Sequence, residues 1–172
     1  MVITPIVNDG RINRSKTTLN KIVAATISLL RKNNNGQIPT AQEIAVKSGV
    51  GIRTVFRHID DMEGLIEEVN RRYLNDLESY IAKNNPKQSS RDQRIEHVIK
   101  ERFYLYNTYQ HVFNLTITSL NNSSAIRTGF IKFNHILRQR FEDLIPEIKM
   151  INKDKQNLID TLISYAAWFR MT

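Results

Sequence analysis

Apolar residues recur at three- and four-residue spacing along most of the chain, and no stretch alternates with the period of a strand. The pattern predicts an all-α protein. A first helix starts near Ser15 or Thr17, carries Leu19, Ile22, Val23, Thr26, Leu29 and Leu30 on one face, and ends at Asn33-Asn34-Asn35-Gly36. Two short helices follow between Thr40 and Ile59. A long fourth helix, capped by Asp60 or Asp61, has Ile66, Val69, Tyr73, Leu77, Tyr80 and Ile81 on its buried stripe. Asn84 to Ser90 form a break. A fifth helix presents Ile95, Val98, Ile99, Arg102, Phe103 and Tyr106 along one side, and the path bends between Asn107 and Gln110. The sixth carries Val112, Phe113, Ile117 and Leu120 up to the stop at Asn121 to Ser124. The seventh carries Ile126, Phe130, Phe133, Leu137, Phe141 and Leu144 and ends at Pro146. The eighth begins after Asn152 with Leu158, Ile159, Leu162, Ile163, Ala166 and Phe169.

The two short helices are the most specific part of the pattern. Thr40 followed by Glu43 is a reciprocal capping pair. Gly49 falls where the first short helix must stop and turn, which suits a residue that tolerates positive φ. The second starts near Gly51 or Ile52, turns Val55 and Ile59 inward, and leaves Arg53, Thr54, Arg57 and His58 outside. This is the layout of a helix-turn-helix, whose second helix enters the DNA major groove.

The run from Ile44 to Leu65 reads I-A-V-K-S-G-V-G-I-R-T-V-F-R-H-I-D-D-M-E-G-L. It resembles the tetracycline-repressor (TetR) family pattern, I-A-x-x-A-G-V-S-x-G-T-L-Y-x-H-F-x-x-K-E-x-L. Ile44, Ala45, Gly49, Val50, Thr54, His58, Glu63 and Leu65 are identities in register, and Val55, Phe56 and Ile59 are conservative replacements. Gly51 stands in place of a capping serine, Phe56 in place of a phosphate-binding tyrosine, and Met62 in place of a lysine. The resemblance covers the first third of the chain. It implies a DNA-binding domain at 1–61 and a helical ligand-binding and dimerisation domain at 62–172. The implied function is that of a bacterial, cytoplasmic, ligand-responsive repressor that binds a palindromic operator as a homodimer. The alternative is a helical interaction module whose degenerate helix-turn-helix keeps only non-specific DNA affinity. Members of the family continue for a further helix in the dimer interface. The resemblance thus implies either a chain shortened at Thr172 or an interface built by the eighth helix with another.

On this resemblance Arg53 and Thr54 contact bases and phosphates, and an arginine there can offer a guanine two parallel donors. Arg57 and His58 suit phosphates. Thr40 matches a phosphate-binding position, Lys47 adds a backbone contact, and Gly51 and Phe56 complete the surface; Phe56 is expected in the core or as a wedge against the sugar backbone. The aromatics of the second half, Phe103, Tyr104, Tyr106, Tyr109, Phe113, Phe130, Phe133 and Trp168, fall on the helices that enclose the family's small-molecule effector pocket.

Charge supports a division of labour. Residues 1–59 hold nine Lys or Arg against Asp9 and Glu43, a net +7 of the chain's +8. A cationic end on a near-neutral remainder suits a polyanion partner. The basic segment 1–14, with its Asp9-Gly10 turn signal, is expected to be a tail or an arm that reaches DNA. The chain has no cysteine, which excludes disulfides and thiolate metal sites. His58, His97, His111 and His135 are not paired at metal-binding spacing, so no metal and no cofactor is expected. Acid pairs such as Asp60-Asp61 and Glu142-Asp143 read as caps and solvated faces, and no nucleophile elbow or phosphate loop is present, so no catalysis is expected. No signal peptide is expected, and no stretch reaches membrane-spanning length.

Overall fold

A computed structural model describes residues 10–33, 36–58, 62–86 and 89–169, with side chains described from 12 to 165. Among the described residues the chain is all-helical: α1 (Gly10–Asn33), α2 (Ala41–Ser48), α3 (Ile52–His58), α4 (Met62–Lys83), α5 (Arg91–Thr108), α6 (Gln110–Ser119), α7 (Ser124–Leu144), a 3-10 turn (Pro146–Met150) and α8 (Lys153–Phe169). Ile59, the expected caps Asp60 and Asp61, the first nine residues and the side chains of Ala166, Trp168 and Phe169 lie outside the described residues.

The first helix starts earlier than expected, at Gly10 rather than at Ser15 or Thr17. Thr17 and Thr18 do not cap it. Their hydroxyls donate back to the carbonyls of Asn13 and Arg14, both at 2.9 Å, as threonines do inside a helix. Residues 10–14 therefore belong to the helix and not to a tail. The capping pair at Thr40 forms as read: Glu43 N donates to Thr40 Oγ1 at 3.3 Å and Thr40 N donates to Glu43 Oε2 at 2.7 Å. Ser90 and Gln93 make the same box at the start of α5.

One hydrophobic cluster joins the N-terminal helices to the rest. Ile22, Val23 and Leu30 of α1, Ile44 and Ala45 of α2 and Val55 of α3 pack with Leu65, Ile66, Val69 and Tyr73 of α4 and with Leu115, Ala125 and Ile126 of α6 and α7. Each large apolar side chain buried this way contributes roughly 1.5–3 kcal/mol. Two smaller clusters lie farther along. Leu77, Leu105 and Leu137 join α4, α5 and α7, and Val98, Phe141, Leu144 and Ile148 join α5 to α7 and the 3-10 turn.

The stripes of α4, α5 and α7 are largely as the periodicity gives them, but α6 and α8 differ. Ile117 is 70 % exposed because the inner face of α6 is carried by His111, Leu115 and Thr116. On α8, Leu158 and Leu162 are also solvent-exposed, while Ile159 and Ile163 pack inward. Polar groups set that rotation. Asp160 Oδ1 accepts from buried Arg102 at 2.9 Å, and Gln156 Oε1 accepts from Arg138 at 3.0 Å, so the helix must turn residues 156 and 160 toward α5 and α7.

Candidate functional site

The turn between α2 and α3 is built by Gly49 in the left-handed region, at φ 66°. No heavy atom lies within 4 Å of where a Cβ on Gly49 would stand, so backbone conformation alone demands glycine there. The Gly51 carbonyl starts α3 by accepting from Thr54 N at 2.7 Å and Val55 N at 3.0 Å. Glycine offers those first amides no side-chain acceptor, unlike the serine of the resembling pattern.

Val55 anchors α3: it is wholly buried against the main cluster. Everything around it turns outward. Arg53 and Arg57 are exposed, Thr54 and His58 are half-buried, and Lys47 and Gly51 are exposed beside them. Phe56 is 57 % exposed, which excludes the core placement and leaves an aromatic ring on the same outward side as the two arginines. Thr40 is on the surface, but its donors are taken. Its amide and hydroxyl bond Glu43 Oε2 at 2.7 and 2.8 Å, and these two bonds hold the Glu43 carboxyl below its ordinary range.

A second candidate site lies among α4, α6 and α7. A pocket of about 40 Å³ is walled by Tyr109, Phe113, Phe130 and Phe133 from the expected set. Phe113 packs edge-on to Phe133 at 5.4 Å and to Tyr106 at 4.8 Å, so Tyr106 backs the wall without lining it. Phe103 is not in the wall, and the Trp168 side chain lies outside the described residues. Tyr104 is not in the wall either; periodicity assigned Tyr73 and Val112 to stripes, but only the crossing of the helices shows that they also line the pocket, with Asn70 and Thr116.

Tyr73 and His111 are both buried and share a 2.7 Å hydrogen bond at the pocket's edge. Burial first, and the nearby Arg31 guanidinium second, push His111 down to about 4 from 6.5. Burial raises the Tyr73 phenol, with Arg31 opposing. The pair is therefore a neutral imidazole and a protonated tyrosine sharing one hydrogen bond.

The buried charges elsewhere serve to fix helices. Arg140 bonds Glu101 at 3.2–3.4 Å between α7 and α5, and Arg102 holds Asp160 of α8 and the Leu137 carbonyl. Among the described residues no group of three His, Asp or Glu side chains could hold a metal ion, and no helix is long and apolar enough to cross a membrane. No protein-family model and no curated protein matches the chain.

Proposed function

We propose that this protein is a DNA-binding transcriptional regulator of the TetR kind, a repressor that binds a palindromic operator as a homodimer and responds to a small-molecule effector. The observation that carries the reading is the outer face of α3. Directly after a glycine turn, a helix anchored by one buried valine presents Arg53, Phe56 and Arg57 to solvent. That face lies in the segment holding nearly all the net positive charge. Arg53 reads base edges, Thr54, Arg57 and His58 hold phosphates, and Lys47 adds a backbone contact. Thr40 acts as the cap of α2.

The dimer partner docks on α8. Leu158, Leu162 and Tyr165 are 56–63 % exposed and stand at i, i+4 and i+7, one continuous apolar stripe on the outer side of the helix. A twofold axis there sets two α3 helices about 34–36 Å apart, or a multiple of that, along the duplex. Effector binding in the α4/α6/α7 pocket favours a spacing that no longer fits.

The test is gel retardation at moderate salt with promoter fragments flanking the gene. Folded protein shifts at least one fragment against excess competitor DNA, and retardation of none would end this reading. Gly51 and exposed Phe56 favour the second reading, a helical module with sequence-blind affinity. That one predicts steep salt dependence and no footprint.

A further inference from the structure

A long groove of about 800 Å³ follows the outer side of the α4–α7 contact. The two helices run parallel. Glu63 meets Ser124 at one end, Leu77 packs with Leu137 farther on, and Arg140 holds the Asn84 carbonyl at the other. The groove is lined from Gly64 to Glu78 on α4 and from Ala125 to Gln139 on α7. At 1.5 Å per residue that makes it about 21 Å long.

Its two walls differ in chemistry. The α4 wall carries Glu67, Glu68 and Glu78. Glu68 is tied to Arg71, whereas Glu67 and Glu78 have no ion-pair partner among the described residues. The α7 wall offers donors instead, on the exposed side chains of Thr128, Lys132 and His135. Lys132 likewise makes no ion pair among the described residues, so acid and base stand on opposite walls without closing on each other. Leu74 and Ile136 give the groove an apolar middle, and Ile131, 61 % exposed, makes an apolar ridge on the α7 wall.

A patch that holds ridge and hollow, acceptor row and donor row, is complementary to itself. Because α4 and α7 are parallel, a twofold axis directed along them lays the α4 wall of one copy on the α7 wall of another at equal height. The pairings of Glu63 with Ser124 and of Leu77 with Leu137 fix those heights. Glu67 stands level with Thr128, and Glu78 level with His135 and Gln139, about one turn beyond Lys132. Each free carboxylate thus meets donors, and Ile131 enters the hollow at Leu74 and Ile136. A twofold axis across the helices would instead set Glu67 against Glu78, like charge on like. We infer that this groove is a contact between two copies of the chain, separate from the stripe on α8. About 21 Å by two helix widths is at the low end for a specific interface, so the association is weak and best trapped covalently.

The chain has no cysteine, so one introduced thiol reports one position. Ile131→Cys in the full chain, at high micromolar concentration with glutathione disulfide, gives a disulfide-linked dimer on a non-reducing gel. Ile117→Cys, at a position 70 % exposed on α6, gives none. The link persists when Leu158→Glu and Leu162→Glu remove the α8 stripe. Lys132→Glu or Glu78→Lys alone slows linking at least about fivefold, and the two together restore it, because the charges are exchanged and not lost. Circular dichroism checks that each of these surface variants is folded. No link through Ile131→Cys, equal linking through Ile117→Cys, loss of the link in the α8 variant, or a charge exchange that restores nothing would each overturn the inference. DNA takes no part in these readouts, so they can fail while operator binding succeeds, and the reverse.

Discussion

Helices α3 and α8 both expose large apolar side chains, yet their surroundings ask for different partners. On α3 the exposed ring of Phe56 shares its outward side with Arg53 and Arg57. Aromatic and apolar surface mixed with guanidinium groups suits a phosphate backbone and the floor of a groove. On α8, Leu158, Leu162 and Tyr165 form an unbroken stripe, and the ion pairs of that helix point the other way, into Arg102 and Arg138. From Leu158 to Tyr165 that face turns no charged side chain outward, and such a surface suits another protein face. Exposure alone is therefore uninformative; what accompanies the exposed carbon decides the partner.

The largest effect expected from breaking this contrast is on α8. Leu158→Glu with Leu162→Glu places four unpaired carboxylates across a twofold interface. It should raise the dimer dissociation constant at least about a hundredfold, read by sedimentation velocity. A wild-type chain already monomeric at high micromolar concentration would refute the assignment of α8. Next comes Arg53→Ala, which should cost about 1–3 kcal/mol on the preferred duplex and little on random DNA, by fluorescence anisotropy. An equal loss on both duplexes would reduce Arg53 to a phosphate contact.

Gly49→Ala should lower stability by about 1–2 kcal/mol in urea, with no clash to relieve, since the cost is the left-handed backbone itself. A pH slope tests the buried pair. His111 in the folded protein titrates at about 4, below its ordinary 6.5. Between those values the unfolded chain takes up a proton that the folded chain refuses, so stability falls as pH drops from about 6.5 toward about 4. His111→Gln, which keeps a hydrogen-bond partner for Tyr73, should flatten the profile in that window relative to wild type; two superimposable profiles would remove His111 from the account.

The sequence was most readable where one local rule acted alone. The Thr40–Glu43 box, the Gly49 turn and the stripe of α4 are local, and each formed as its residues indicate. The start of α1 was misjudged because a threonine can cap a helix or bond backward inside one, and only the chain before it decides. The rotation of α8 was misjudged because leucine and isoleucine look alike to a periodicity argument. The helix is turned by Asp160 and Gln156 meeting arginines distant in sequence. The candidate pocket was half legible for the same reason. Its aromatics announced themselves, but Asn70 and Thr116 line it only because α4, α6 and α7 cross where they do.

The interior has no seam between its first three helices and the rest. Leu65, Ile66 and Val69 belong to the same oily mass as Ile22, Ile44 and Val55. Severing the chain between His58 and Met62 would strip both pieces of their shared lining. Whatever surface the N-terminal helices offer the outside world is braced from within by the long helix that follows.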